Sequence, residues 1–142
     1  MNATHFRELN VWQDAMRLAK IVYGITALFP RVERFGLSSQ MQRAAVSIPS
    51  NIAEGNARQS RRDYARFIAM ASGSAAELQT QLLLAQDLEL AKIEAVTPGL
   101  ELCERVSKML YRLQQSLARD AVDRSPVPGP RSRVCEDLEE YL

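Results

Sequence analysis

The sequence predicts an all-α, up-down-up-down four-helix bundle. Three observations carry that reading. Apolar residues recur at three- and four-residue steps in four separate stretches. Short segments rich in Gly, Pro or polar residues separate those stretches. No segment shows a two-residue apolar alternation long enough to assign as a strand. The 142 residues suit one domain with one sizeable core. Four amphipathic helices on short connections then pack as antiparallel neighbours.

In the first helix, Val11, Ala15, Leu18, Val22, Ile25 and Phe29 form one apolar face. Asn10 followed by Gln13 resembles a capping box at its start. Pro30 is expected to end it, because proline disfavours the α region in the residue before it. A loop, RVERFG, follows.

The second helix is expected to start near Ser38, with Leu37, Met41, Ala44 or Ala45, Ile48 and Ile52 inward. Its stretch QMQRAAVSIPSNIAEG, residues 40–55, holds Pro49 in mid-helix. A proline there removes a hydrogen bond and crowds the preceding turn, at about 3 kcal/mol. A kink at Pro49 would relieve part of that cost. The small residues around it, such as Ser47, Ala53 and Gly55, would let a neighbouring helix approach closely.

Ser60 with Asp63 gives a second capping-box-like start. The third helix then runs through Tyr64, Phe67 or Ile68, Ala71, Ala75, Leu78, Leu82 and Ala85. Gly73 weakens it by about 1 kcal/mol relative to alanine. The fourth helix begins between Lys92 and Pro98. Thr97 as cap with Pro98 at the first helical position is one start, and an earlier one with Pro98 in the first turn is the other. Cys103, Val106, Leu110, Leu113 and Leu117 form its inner face. The segment RSPVPGPRSR cannot continue a helix, so residues 1–120 read as the bundle and 121–142 as a flexible, Pro-rich, acidic tail.

More apolar surface is present than one bundle needs. Leu82, Leu83 and Leu84 sweep about 200° of a helix. Trp12, Met16, Ala19, Tyr23 and Ala27 form a second row beside the core row of the first helix, and Leu102 and Met109 lie off the fourth helix's seam. Such rows predict a homo-oligomer.

The chemistry-bearing residues are sparse. The chain has one histidine, His5, and no phosphate-loop, dinucleotide or nucleophile-elbow motif. No catalytic centre, metal or cofactor is predicted. Cys103 and Cys135 form no metal-type pair and read as free thiols of a reducing compartment. No apolar run is long enough to span a bilayer, and none follows the charged N-terminal residues as in a signal peptide. A cytoplasmic protein without membrane partners is therefore expected.

The formal net charge is +1, but it is unevenly spread. Residues 31–66 hold seven arginines against three acids, and residues 121–142 hold three against five. Arg58, Arg61, Arg62 and Arg66 crowd the start of the third helix, where the macrodipole favours anions instead. Guanidinium groups and free N–H groups together suit phosphate. These four arginines are the candidate nucleic-acid contacts, with Arg31, Arg34 and Arg43 as an extension if the fold brings them near. The plainer reading is a solvated face balanced by Glu54 and Asp63. Around the proline, Arg43, Pro49, Asn51, Glu54 and Gly55 form a second motif. Asn51 and Glu54 are three apart and could share a face as a small polar site, or serve the turn that follows. The rival to nucleic-acid binding is a protein–protein adaptor, and a remote third is an enzyme with a hidden site at Asn51 and Glu54.

Three stretches also resemble a known family: LNVWQDAMRLAKIVYGITALFP, FGLSSQMQRAAVSIPSNIAEGNAR and SRRDYARFIAMASGSAAELQTQLLLAQDL. They look like successive helices of the four-helix bundle proteins encoded within intervening sequences of bacterial 23S ribosomal RNA genes. The likeness covers roughly residues 6–118 and is most specific at QMQRAAVSIPSNIAEG. It implies a left-handed bundle, a ring-like homopentamer and no established catalytic activity. An accessory protein of diversity-generating retroelements is similar in fold and has a basic surface that binds nucleic acid and a reverse transcriptase. That likeness implies an accessory role in a ribonucleoprotein.

Overall fold

The computed structural model describes residues 5–123, with backbone alone for the last four. Four helices occur among them: α1 (Asn10–Thr26), α2 (Leu37–Asn56), α3 (Arg61–Asp87) and α4 (Ile93–Asp123). Short 3-10 turns at Phe6–Glu8 and Arg31–Glu33 precede α1 and α2, and no strand is present among the described residues. Each helix packs on the next, and α4 closes back on α1.

Cross-helix contacts fix the directions. Gln42 donates to the Thr26 hydroxyl at 3.0 Å, where α1 ends and α2 begins. Ser47 and Ser74 hydroxyls meet at 2.8 Å, while Gly55 lies against Tyr64 and Phe67. The Cys103 thiol donates to the Ala75 carbonyl at 3.4 Å, and Gly99 lies against Leu82. Asp14 bridges to Arg105, and Ile25 approaches Gly99. Every adjacent pair is thus antiparallel, so the topology is up-down-up-down.

The core follows the predicted faces. Val11, Ala15, Leu18, Val22 and Ile25 of α1 are buried, as are Met41, Ala44, Ala45, Ile48 and Ile52 of α2. Both Phe67 and Ile68 turn inward on α3, followed by Ala71, Ala75, Leu78, Leu82 and Ala85. On α4, Cys103, Val106, Leu110 and Leu117 are buried, with Leu113 half-buried. Phe29 is buried although α1 ends at Thr26, three residues earlier than expected. The Thr26 hydroxyl donates to the Val22 carbonyl at 2.9 Å and helps close that end. α2 runs unbroken through Pro49, which offers no N–H to the Ala45 carbonyl.

One expected start differs, and one left open is decided. Asn10 is already helical and Leu9 is the cap residue of α1, so no capping box forms. Gln13 instead donates to the Arg7 carbonyl at 2.8 Å, tying the helix to the turn before it. For α4 the Thr97–Pro98 start is replaced by the earlier one, at Ile93. The Lys92 carbonyl accepts from the N–H groups of Ala95 and Val96. Thr97 donates to the Ile93 carbonyl at 2.7 Å rather than capping. The fully buried Val96 drives the early start, because burying it needs the helix already turned. By contrast, the Ser60 cap of α3 forms, with its hydroxyl accepting from the Asp63 N–H at 3.0 Å. α4 reaches Asp123, and the remaining tail, 124–142 with Cys135, lies outside the described residues.

The α3–α4 corner closes with Glu89 at φ 54°, the left-handed region. The Leu90 N–H bonds to the Ala85 carbonyl at 3.0 Å and the Glu89 N–H to Gln86 at 3.1 Å. This is a Schellman motif with glutamate where glycine is usual.

Three substitutions test these packing arguments by urea unfolding. A Cβ on Gly55 would lie 2.8 Å from the Phe67 Cβ and 3.3 Å from the Tyr64 carbonyl, neither at the tip of a flexible chain. Gly55→Ala should therefore cost about 1–3 kcal/mol. Gly73 has open space around its missing Cβ, so Gly73→Ala should add about 1 kcal/mol. Glu89→Gly should add about 1 kcal/mol by removing the left-handed penalty. A second test uses pH. Burial pushes the Cys103 thiol up from 9.0 to about 11. The unfolded thiol ionises first as pH rises, so its contribution to stability is intact below pH 9 and declines between 9 and about 11. Cys103→Val should flatten that part of the stability–pH curve.

Candidate nucleic-acid interface

The arginine cluster is built by the corner between α2 and α3. α2 ends at Asn56, four residues span the turn, and Ser60 caps α3. Gly55 is buried, and its bare Cα lets α3 come close enough to set Phe67 and Tyr64 against α2. Asn56 donates to the Tyr64 hydroxyl at 3.5 Å, and burial pushes the Tyr64 phenol up.

Phe67 then serves as a platform. The Arg58 guanidinium lies 4.8 Å from its ring centroid and that of Arg66 lies 5.0 Å away. Two cations therefore stand within about 10 Å of each other over one mostly buried ring. Arg58 also donates to Glu54 at 3.0 Å, and Arg66 lies 3.9 Å from Asp63. All four of these charged side chains are about half exposed, so the pairs contribute little beyond orientation. Arg62 is exposed, and Arg61 is half-buried and engaged with a partner. The four arginines thus share one end of the bundle, with Arg58 in the α2–α3 turn and Arg61, Arg62 and Arg66 in the first two turns of α3. Helix polarity there adds to the attraction for an anion.

The other basic residues do not join them. Arg31 and Arg34 sit before α2, at its opposite end, about 30 Å away along a helix of that length. Arg34 lies over Phe35 instead, at 5.7 Å. Arg43 is exposed in the second turn of α2, also toward that far end. Arg119 was not singled out in the sequence. It is exposed on the last turns of α4, which run beside the start of α3. Only the antiparallel register puts it there.

The proline motif is drawn into packing and backbone service. Asn51 donates to the Ser47 carbonyl at 2.8 Å and to its hydroxyl at 3.0 Å, and Ser47 reaches Ser74 of α3. Glu54 turns forward to Arg58, so the two side chains do not converge on one site. Pro49 and Ala53 line an open apolar groove of about 600 Å³ between α1 and α2, with Trp12, Met16 and Tyr23 opposite. Of the expected second rows, Tyr23, Leu83 and Leu84 are more than 40% exposed, whereas Trp12, Ala19, Leu102 and Met109 pack against the core.

Asp14 is a polar feature the sequence pattern did not mark. Its side chain is 8% exposed, with Arg17 on one oxygen and Arg105 of α4 at 3.2 Å from the other. It ties α1 to α4. His5 accepts from the Arg7 N–H at the exposed N-terminal turn. No group of three or more His, Cys, Asp or Glu able to hold a metal occurs among the described residues. None of the described helices is long and apolar enough to cross a membrane.

Comparison with known proteins adds three findings. A family model described as 23S rRNA-intervening sequence protein matches residues 7–112. A crystal structure from Bacteroides thetaiotaomicron, described as a protein of unknown function from the S23 ribosomal protein family, superposes with a TM-score of 0.69. It shares 23% identity and covers 73% of this chain and 97% of its own, a likeness of fold alone. No curated protein matches.

Proposed function

The chain belongs to the 23S rRNA-intervening sequence protein family, and from that premise we propose a cytoplasmic, non-enzymatic scaffold that binds structured RNA or DNA. Arg58, Arg61, Arg62 and Arg66 contact the phosphates. The observation that carries this reading is the pair of guanidinium groups on Phe67. Two guanidinium groups anchored on one ring offer a polyanion preplaced, charge-assisted donors. The cluster reads backbone charge rather than base sequence, because guanidinium groups at a helix start suit phosphate oxygens.

The scaffold is a homo-oligomer, and the family likeness favours a left-handed bundle in a ring of five. The apolar groove along Trp12, Met16, Tyr23 and Val46 and the exposed leucines of α3 support self-association. A ring would repeat the arginine cluster and multiply its affinity for a long polyanion. The same apolar groove supports the second reading, a protein adaptor.

Fluorescence anisotropy with an RNA hairpin and a duplex DNA across salt tests the first reading. Tight binding at low salt should fall linearly on a log–log plot. Replacing all four arginines with alanine should lower the slope by about 3. No binding at low salt, or an unchanged slope in the variant, would discard it in favour of the adaptor. For the assembly, light scattering at micromolar concentration should give about five times the chain mass, and a monomer mass would end the ring proposal.

A further inference from the structure

The last residues of the sequence carry chemistry that fits the arginine cluster. VCEDLEEYL, residues 134–142, holds Glu136, Asp137, Glu139 and Glu140. It also holds Val134, Leu138, Tyr141 and Leu142 at the spacing of one helical face. On α3, Arg62, Arg66 and Met70 stand four apart along one exposed row, and Met70 is 49% exposed. A surface that offers two cations followed by an apolar side chain matches a segment of acids interleaved with apolar residues.

The fold also delivers that segment to the right place. α3 and α4 pair Ala75 with Cys103 and Leu82 with Gly99. Continued toward the other end, this antiparallel register sets Arg61 beside the turn of α4 that carries Leu117. From there α4 runs on to Asp123, roughly 9 Å further. The chain therefore leaves the helix at the end of the bundle that carries the α2–α3 turn, roughly 9 Å beyond the level of Arg61. Ten residues, RSPVPGPRSR, separate Asp123 from Val134 and reach up to about 35 Å when extended. A neighbouring helix is only about 10 Å away.

The acids paired with Arg58 and Arg66 are weak competitors for such a guest. Glu54 bonds Arg58 at 3.0 Å and Asp63 lies 3.9 Å from Arg66, but both pairs are exposed to water and therefore weak. We propose that residues 134–142 dock on the Arg62–Arg66–Met70 row of their own chain and compete there with polyanions. The docking stands on charge and chain geometry. The competition rests on the nucleic-acid reading above.

A nitroxide on Cys135 of the full-length chain tests the docking. Cys103 is buried and its thiol resists ionisation, so labelling favours Cys135. At low salt the label should broaden the backbone amides of Arg62, Arg66 and Met70. The broadening should vanish in high salt and in the full-length variant E136Q/D137N/E139Q/E140Q. Broadening elsewhere, or broadening that ignores the charge change, would overturn the docking. RNA anisotropy on the same two proteins tests the competition. The neutralised variant should bind at least about threefold tighter, because its cluster is no longer occupied. Equal affinity alongside charge-dependent broadening would overturn the competition. If neither protein binds RNA while the broadening is present, the docking is supported and the nucleic-acid function fails.

Discussion

The missing side chain at Gly55 is the constraint on which the rest of this structure depends. A Cβ there would overlap Phe67 and crowd Tyr64, so the approach of α3 to α2 is set by an atom that is not there. From that approach follows the position of Phe67, and from Phe67 the position of two guanidinium groups. The small residues of the proline-containing stretch thus act at a distance. They decide how close two helices come, and closeness decides where charges stand. Ser47 and Ser74 repeat the logic one level along, where two small hydroxyls meet across the same helix pair.

The polar bridges are placed where they discriminate between packings. Gln42 to Thr26 links α2 to α1, Ser47 to Ser74 links α2 to α3, and Cys103 to the Ala75 carbonyl links α4 to α3. Asp14 to Arg105 completes the circuit between α4 and α1. Each is modest in net energy. Together they make one register and one cyclic order cheaper than the alternatives that an apolar core alone would tolerate.

The sequence made the helices and their inner faces legible because apolar periodicity is a local signal. Ser60 was legible for the same reason, since a cap acts within one turn. Asn10 misled, and Thr97 left the α4 start open, because each has a competitor the local pattern does not show. Gln13 finds the Arg7 carbonyl, and Val96 pulls α4 into helix before Thr97 is reached. Within the candidate site, the four clustered arginines were visible as neighbours in sequence. Their ring platform was not, because Phe67 read only as a core residue that alternated with Ile68. Arg31 and Arg34 showed the limit from the other side. They count toward the same basic stretch, yet a helix of twenty residues holds them apart from it. Arg119 comes to the same end of the bundle from far along the chain, and only the antiparallel register reveals it.

An even number of antiparallel helices has a practical consequence. The start of α1 and the end of α4 both lie at the arginine end of the bundle. A short affinity tag joined directly before α1 or directly after α4 would therefore stand at the same end as the cluster. Its charge enters every titration made there, and an acidic tag would act as an inhibitor while a polyhistidine tag would lend the protein extra cations. The connection between α1 and α2, with Val32 and Phe35 open to solvent, lies at the other end. That loop is where a fluorophore or tether can be attached without speaking for the protein.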